Sequence, residues 1–198
     1  MMDKFVQADQ YIDSYLSESI AALRAVETVA PVLNEMSQRI ANAIRTDNTV
    51  FLCGNGGSYA MAQHFAAELS VRFELDRPSF RAHTLGTDGV VLTAMSNDYA
   101  FEQVFSRSLS AIGKAGDILL AMSTSGTSAN VLNALERAQE MGITRLGFTG
   151  EQGTSFVGHC DVTFCAPSRR TAFVQEAHLI GLHAICARLD VEFSKPET

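Results

Sequence analysis

The segment STSGTS, at residues 123–128, places five hydroxyl side chains around one glycine. It follows the apolar run DILLAMS and precedes SANVLNALERAQEMG, whose composition favours a helix, so it connects a strand to a helix. Hydroxyl donors, free amides and the positive end of a helix dipole together suit a small dianion. Ser128 could instead act only as a helix cap, but capping does not require Ser123, Thr124 and Ser125. The segment therefore favours a phosphate site without lysine.

A glycine-rich turn, GNGGS at residues 54–58, lies between the β-rich run TVFLC and the helix-favouring stretch YAMAQHFAAELSVRF. A dinucleotide site would require G-x-G-x-x-G and an acidic residue about 20 positions later. Tyr59 stands at the third glycine, and no acidic residue ends the run RAHTL. A P-loop is excluded because Gly-Lys-Ser/Thr does not follow at the needed spacing. Either the glycines let the backbone approach a ligand closely, or the turn only reverses the chain.

Side chains that can bind metal recur on two predicted helices. His64 and Glu68 are four residues apart, so they share one helix face near the ligand end of the sheet. Neutral imidazole and carboxylate oxygen are ligands of zinc and other divalent metals, although a single histidine is more often a packed or solvent-touching residue. His83 and His159 lack such neighbours and are interpreted as structural. The last helix carries the remaining set: Gln175, Glu176, His178 and His183.

The spacing of Gln175 and His183 constrains such a metal site. The two residues are eight positions apart, which is about 12 Å along a continuous helix, while both ligands of one ion must come within about 2 Å of it. Side chains on a single helix barely close that gap. We therefore expect an irregularity in the helix or, preferably, two copies of the chain that contribute one residue each, with the active site at a subunit interface.

The elements that position these residues follow from the apolar pattern. Apolar side chains recur every three or four residues over 11–26 and 32–44, which predicts two amphipathic helices joined near Pro31. Strand-like runs then alternate with helical stretches, which predicts a parallel sheet covered on both faces, with ligands beyond the carboxyl ends of its strands. The predicted strands lie at 49–53, 81–85, 117–123, 144–150 and 161–166, and the last helix runs from about 171 to 189.

Composition limits the remaining possibilities. Hydrophobic residues make up 46% and charged residues 19% of the 198 residues, as in a globular protein, and we expect a single domain over 1–198 with N-terminal helices at about 5–46. The net charge of −7 and the scattered basic residues argue against nucleic acid as a partner. The start shows no signal-peptide pattern, and no stretch reaches the roughly 18 apolar residues of a membrane span. We therefore expect a cytoplasmic protein without a membrane partner.

The four cysteines lack a CxxC pair and are interpreted as buried free thiols.

Five segments of the chain form a specific joint pattern: GNGGSYAMAQHFAAELSVRF, TDGVVLTAMSNDYAFEQVFSR, GDILLAMSTSGTSANVLNAL, FTGEQG and TAFVQEAHLIGLHAIC. They resemble the sedoheptulose 7-phosphate isomerases (phosphoheptose isomerases) of the sugar isomerase (SIS) domain superfamily. The resemblance implies an α/β fold, a three-layer α-β-α sandwich with a five-stranded parallel sheet and an N-terminal helical extension. It also implies a homotetramer, one zinc or other divalent metal ion per subunit, and conversion of sedoheptulose 7-phosphate to D-glycero-D-manno-heptose 7-phosphate for bacterial heptose precursors.

The same resemblance assigns roles to individual residues. Glu68 and His183 match the residues with acid/base roles in the ketose-to-aldose conversion, in which a proton moves between C1 and C2 through an enediol. The implied metal ligands are His64, Glu68, Gln175 and His183. The implied substrate contacts are Asn55, Gly56, Gly57, Ser58, Glu68, Asn97, Asp98, Ser123, Thr124, Ser125, Ser128 and Gln175.

Three positions depart from the family pattern. Met61 replaces the aspartate of GNGGSxxDA, Phe173 replaces the arginine of TARIQE, and Tyr59 occupies a position that is usually small or histidine. A thioether accepts hydrogen bonds far more weakly than a carboxylate does. These replacements predict a pocket that is more apolar than usual, with either a different substrate or weak activity on the seven-carbon sugar.

Two non-catalytic alternatives stay open. The DnaA initiator-associating protein, a partner-binding tetramer, shares the superfamily fold but resembles these isomerases less at the Glu68 and His183 positions. A sugar-phosphate sensor would bind its ligand through STSGTS without turning it over. The presence of both Glu68 and His183 in this chain favours the enzyme.

Overall fold

Strands and helices alternate along the described part of the chain, residues 2–194, in this computed structural model, with side chains described from residue 11 onward. The elements are α1 (Met2–Ala25), α2 (Ala30–Arg45), β1 (Val50–Cys53), α3 (Gly57–Ser70), β2 (Ala82–Thr84), α4 (Gly89–Asp98), α5 (Val104–Ile112), β3 (Ile118–Met122), α6 (Ala129–Glu140), β4 (Thr144–Gly150), α7 (Thr154–Val157), β5 (Val162–Ala166) and α8 (Thr171–Phe193). Each predicted strand is present within one residue of its expected bounds. Residue 1 and residues 195–198 of the predicted domain lie outside the described residues.

The two N-terminal helices form as expected and meet at a short 3-10 turn, Val26–Val29. Pro31 lies in the first turn of α2, where a missing N–H has no intrahelical partner to lose. Helix α1 is tied to α8 through the Glu176 carboxylate, which accepts hydrogen bonds from Tyr15, at 2.9 Å, and from Ser19. The N-terminal extension is therefore bonded to the helix that carries two of the four predicted metal ligands, Gln175 and His183.

The five strands form one parallel sheet in the order β2-β1-β3-β4-β5. Its side chains alternate between two cores. Val50 and Leu52 join a cluster with α2, α3 and α8, whereas Phe51 and Cys53 join a second cluster with α5 and α6. Both faces of the sheet are thus covered, and the predicted three-layer α-β-α sandwich is confirmed.

Strands β1 and β3 are neighbours at the centre of the sheet, although β2 separates them in the sequence. The helix after β1 packs on one face of the sheet, through Phe65 and Leu69, and the helix after β3 packs on the other, through Val131 and Leu135. The two loops therefore leave the sheet in opposite directions and open a crevice between them. Ligands of open α/β sheets bind at such a point.

No helix within residues 2–194 combines the length and the apolar character needed to cross a bilayer.

The four cysteines are free thiols. Cys53 and Cys186 are buried, as predicted, whereas Cys160 and Cys165 are only partly buried. Burial raises the pKa of Cys160 and Cys186 to about 12, so these two thiols are protonated and unreactive at neutral pH.

Candidate active site

A cavity of about 320 Å³ opens at the carboxyl ends of β1 and β3. Three helices begin at its wall: α3 at Gly57, α6 directly after Ser128 and α8 at Thr171. Its lining residues, all of them described in the structure, include no lysine and no arginine. Three helix N-termini and several hydroxyl groups are thus the groups available to an anion. The lining consists of Asn55, Gly56, Gly57, Ser58, Met122, Ser123, Thr124, Ser128, Thr171 and Gln175.

The hydroxyl-rich segment is held by its own side chains. Ser128 is the N-cap residue of α6, but its side chain makes no capping hydrogen bond. Its Oγ lies 3.1 Å from the Oγ of Ser123, which also accepts the backbone N–H of Gly126 at 3.1 Å. Gly126 has a φ of +71°, and a Cβ there would lie 2.6 Å from the Cα of Gly153. The interpretation of Ser128 as a side-chain cap is therefore wrong, because its hydroxyl faces Ser123 at the cavity wall.

The glycine-rich turn brings α3 against α8. Gly56 has a φ of +54°, which favours glycine, and Ser58 is buried in the first turn of α3. A Cβ on Gly57 would lie 2.6 Å from Nε2 of Gln175. The absence of a side chain at Gly57 thus leaves the Gln175 amide room at the cavity wall.

Asn130 is a site residue that the sequence did not reveal. It is buried in the first turn of α6, and its amide exchanges two hydrogen bonds with that of Asn55, at 2.8 and 2.9 Å. Asn130 supports the lining residue Asn55 without itself lining the cavity, whereas Met122 and Thr171 line it without having been predicted. A hydroxyl at the start of the last helix was the only sequence signal for Thr171. Nothing in the sequence pairs Asn55 with a residue 75 positions away.

A second group of side chains lies further along α3 and α8. The Nε2 atoms of His64 and His183 are 3.0 Å apart. Glu68 Oε1 lies 3.6 Å from His64 Nε2, and the ring of Phe73 stacks on that of His183 at 5.3 Å. The imidazole of His64 is 45% exposed, so this group is open to solvent and to a ligand. The structure thus brings together within one chain three of the four predicted metal ligands.

The fourth predicted metal ligand, Gln175, lies apart from these three residues. Helix α8 is continuous over Thr171–Phe193, so the predicted helix irregularity is wrong. Gln175 is placed beside Gly57, and His183 beside His64. Helices α3 and α8 therefore run parallel, and the two groups are separated by about 10–12 Å along them. Whether a second copy of the chain brings Gln175 and His183 to one ion stays a prediction.

The side chains of the second group are of types that bind metal ions, and two of the distances between them suit ligands of one ion. Two ligands of a tetrahedral zinc ion lie about 3.3 Å apart, given Zn–N distances of about 2.0–2.1 Å. The 3.0 Å between His64 and His183 and the 3.6 Å between His64 and Glu68 fall on either side of that value. No three His, Cys, Asp or Glu side chains in the described residues are already arranged to hold one ion. Binding would thus require at least one of these side chains to turn.

Some predicted substrate contacts do not reach the cavity of the same chain. Ser125 is exposed, and its Oγ lies 2.9 Å from that of Thr127. Asn97 and Asp98 are exposed at the end of α4, where the amide of the first donates to the carboxylate of the second at 2.9 Å. None of them lines the cavity. If these residues contact substrate, the ligand or a neighbouring subunit must connect them to it.

The positions that depart from the family pattern do not line the cavity at the carboxyl ends of β1 and β3. Phe173 is buried, with its ring 5.0 Å from that of Tyr15 and the Arg170 guanidinium 4.5 Å above it. Met61 packs partly against the core. Phe173 and Met61 therefore add nothing apolar to the lining of this cavity, because both side chains are taken up by helix packing.

Tyr59 lines a separate, apolar cavity of about 180 Å³ on the other side of the GNGGS turn. Its ring stacks on Phe105 at 6.4 Å between centroids. Its buried hydroxyl has no hydrogen-bond partner among the described residues, and burial raises the pKa of Tyr59. The aromatic replacement at position 59 thus fills space beside the site and leaves one polar atom unsatisfied.

The other histidines lie away from both groups. His178 is fully buried, and its Nε2 lies 3.1 Å from the carbonyl of Thr149. Burial lowers the pKa of His178 to about 4, against the opposing effect of that hydrogen bond. His83 is exposed on the edge strand, and Nδ1 of His159 lies 3.8 Å from a carboxylate. These positions agree with structural roles.

Comparisons with known proteins place this arrangement in a class. The SIS domain model matches residues 14–150, and the chain is a SIS-domain protein. Among solved structures, phosphoheptose isomerase GmhA from Neisseria gonorrhoeae superposes with a TM-score of 0.87 at 36% identity, covering 92% of this chain and 98% of that one. The enzyme from Francisella tularensis gives a TM-score of 0.88 at 32% identity, covering 92% and 97%.

Curated relatives define the family more closely. The phosphoheptose isomerase of Bradyrhizobium sp. (strain BTAi1 / ATCC BAA-1182) is 43% identical over 186 residues, which cover 92% of this chain and 94% of that protein. The phosphoheptose isomerase of Roseiflexus sp. (strain RS-1) is 44% identical over 163 residues, covering 82% and 83%. The chain belongs to the phosphoheptose isomerase family and is a sugar-phosphate isomerase. This membership favours the enzyme over the two non-catalytic alternatives.

Proposed function

We propose that the chain converts sedoheptulose 7-phosphate to D-glycero-D-manno-heptose 7-phosphate. The observation that carries this proposal is the placement of two groups along the parallel helices α3 and α8. An anion cavity lies at their N-terminal ends, and the imidazole and carboxylate groups lie about two to three turns further. A long sugar with its phosphate at one end and its carbonyl at the other suits that separation. The name of the relatives, phosphoheptose isomerase, agrees with such a substrate.

The phosphate is held without a basic side chain. Three helix N-termini face the cavity, and Ser123, Thr124 and Ser128 add hydroxyl groups to its wall. The Gln175 amide stands beside Gly57 at the same wall. Because dipoles and hydroxyls are fixed by the fold, they bind the dianion without ordering a long flexible chain. In this proposal phosphate binding orients the sugar so that its carbonyl end points toward His183.

The acid/base roles follow from the second group. Glu68 takes a proton from C1 of the ketose and returns it to C2, which passes the sugar through an enediol. His183 transfers the hydroxyl proton from the C1 oxygen to the C2 oxygen. Without a metal ion, the 3.0 Å contact between the Nε2 atoms of His64 and His183 allows one imidazole to donate to the other and so to fix its tautomer.

We also propose one zinc ion per subunit, with His64, Glu68, Gln175 and His183 as its ligands. When bound, the ion would polarise the substrate carbonyl. One chain places Gln175 apart from the other three residues, which supports a site completed by a second copy in a homotetramer. The exposed positions of Asn97 and Asp98 support the same interface, because they lie outside the cavity of their own chain.

A turnover experiment tests the proposal. Purified protein is incubated with sedoheptulose 7-phosphate, with and without chelator, and the aldose is followed by NMR. We expect turnover, its loss with chelator and its return with zinc. Glu68→Gln should lower kcat by about 10²-fold or more without weakening binding of inorganic phosphate, while Gln63→Ala, an exposed change on the same helix, should be silent. Full activity of Glu68→Gln would refute the base assignment. A fully active monomer in sedimentation would refute the interface.

A further inference from the structure

A buried ion pair lies at the far end of α3, beyond the imidazole group. The side chain of Arg77 is 0% exposed and that of Asp190 is 1% exposed, with Nε 2.7 Å from Oδ1. Burying two charges carries a large desolvation cost, and apolar residues of similar volume often give equal stability. A pair of this kind is therefore weak evidence for stability, and its contacts indicate what else it does.

The guanidinium of Arg77 holds the end of α3. Its Nη2 donates to the carbonyl of Glu68 at 2.7 Å, and its Nη1 donates to the carbonyl of Leu69 at 3.0 Å. Helix α3 ends at Ser70, so these are carbonyls of its last turn, which need donors from outside the helix. The main chain of the proposed base is thus bonded directly to Arg77.

The carboxylate of Asp190 binds both Arg77 and the segment that follows α3. Its Oδ2 accepts the backbone N–H groups of Glu74 and Leu75 at 2.6 and 2.7 Å, while Oδ1 accepts from Arg77. Burial alone would raise the pKa of Asp190, but the hydrogen bonds from these groups and the charge of Arg77 bring it below its usual value. Asp190 follows His183 by seven residues on α8, which is about two turns and so the same helix face.

We propose that Arg77 and Asp190 are positioning residues that fix Glu68 relative to His183. A continuous set of bonds runs from the main chain of Glu68 through Arg77 to Asp190 and along α8 to His183. The Arg77 and Asp190 side chains at the centre of this set are buried, so α3 cannot slide along α8 without breaking hydrogen bonds that water does not replace. This inference rests on the proposed roles of Glu68 and His183. The anion cavity lies at the opposite ends of both helices and is outside its reach.

Two conservative variants of the full-length protein test the inference. Arg77→Lys keeps the charge but loses the planar fork, so one ammonium cannot hold Asp190 and both carbonyls in the same geometry. Asp190→Asn keeps the shape and loses the charge. We expect kcat to fall about tenfold or more in each, with KM and the Kd for inorganic phosphate changed less than about twofold. The NMR contact between the rings of His64 and His183, whose centroids are 5.3 Å apart, should weaken.

Leu109→Ala serves as the matched control, because Leu109 is fully buried in the core cluster on the opposite face of the sheet. It lowers stability without contacting the ion pair, and its folded fraction should keep the wild-type kcat and the wild-type ring contact. The inference is overturned if Arg77→Lys and Asp190→Asn lose activity only in proportion to their folded fraction. It is also overturned if neither variant folds, which would assign the pair to stability alone. The NMR contact between the His64 and His183 rings can be measured even if the wild-type protein turns over no sugar. Failure of the proposed function can therefore be told apart from failure of this inference.

Discussion

The amides of Asn55 and Asn130 bind each other through two hydrogen bonds, one in each direction, at 2.8 and 2.9 Å. Asn55 follows β1 and Asn130 lies in the first turn of α6, so the pair joins the glycine-rich turn to the hydroxyl-rich segment. A carboxylate cannot replace either amide, because it lacks the donor that the partner oxygen needs.

Asn130→Asp should therefore weaken anion binding. The change removes one hydrogen bond and adds a negative charge beside the cavity. We expect the Kd for inorganic phosphate, measured by calorimetry, to rise at least about tenfold and the free energy of unfolding to fall by about 1–2 kcal/mol. Asn42→Asp is the matched control, since the Asn42 side-chain oxygen only accepts, from Gln38 and Arg45, and a carboxylate can do the same. Equal phosphate binding in both variants would show that the amide pair does not shape the cavity.

Gly57→Ala should separate ligand binding from folding. Alanine is favoured over glycine inside a helix by about 0.5–1 kcal/mol, so the melting temperature should stay level or rise. The new Cβ would lie 2.6 Å from the end of the flexible Gln175 side chain, which must move. We expect the affinity for sugar phosphate to fall several-fold in calorimetry. Gly89→Ala, where a Cβ meets nothing within 4 Å, should change neither quantity greatly. Lower stability with unchanged affinity would support a turn that only reverses the chain.

His178 should make the protein less stable in acid. Its pKa is lowered from 6.5 to about 4 by burial, so the unfolded chain takes up a proton at a pH where the folded chain does not. The contribution is complete above pH 6.5 and is lost as the pH falls toward 4, amounting to about 3 kcal/mol. Urea unfolding across this range should show a shallower loss in His178→Gln. Parallel curves for the two proteins would contradict the assignment, because the buried aspartates titrate in both.

Tyr59→Phe should leave the fold intact or strengthen it. The hydroxyl of Tyr59 is buried without a partner among the described residues, so its removal should stabilise the protein by up to about 1 kcal/mol in thermal unfolding. Tyr15→Phe is the contrasting control, since the Tyr15 hydroxyl donates to Glu176 at 2.9 Å and its loss should be destabilising. Destabilisation of both variants would indicate that the Tyr59 hydroxyl has a bound partner.

The sequence predicts the layers of this fold well because each strand is a short apolar run between turn residues. It also locates Ser123, Thr124 and Ser128, because five hydroxyls within six residues are more than capping one helix requires. The family resemblance locates His64 and His183 but cannot pair them, since their contact depends on how α3 lies against α8. That geometry is set by packing between residues more than 100 positions apart.

Three features escaped prediction for a related reason. The amide of Asn130 acts through a partner on another strand's loop, and Arg77 acts through carbonyls that no side-chain pattern reveals. Phe173 is predicted to line the pocket because it stands at the position of an arginine in the family segment TARIQE. The structure turns it toward Tyr15 instead, since a buried ring gains more from a neighbouring aromatic than from an open cavity.

The central position of β1 and β3 has a consequence for how such a protein can change. The edge strand β2 and the loop after it contribute nothing to the anion cavity. Insertions or substitutions in β2 and in the loop after it should therefore leave the affinity for phosphate unchanged. The inner strands position the groups proposed to bind phosphate, so changes at the sheet edge can alter the shape of the sugar site without moving the phosphate site.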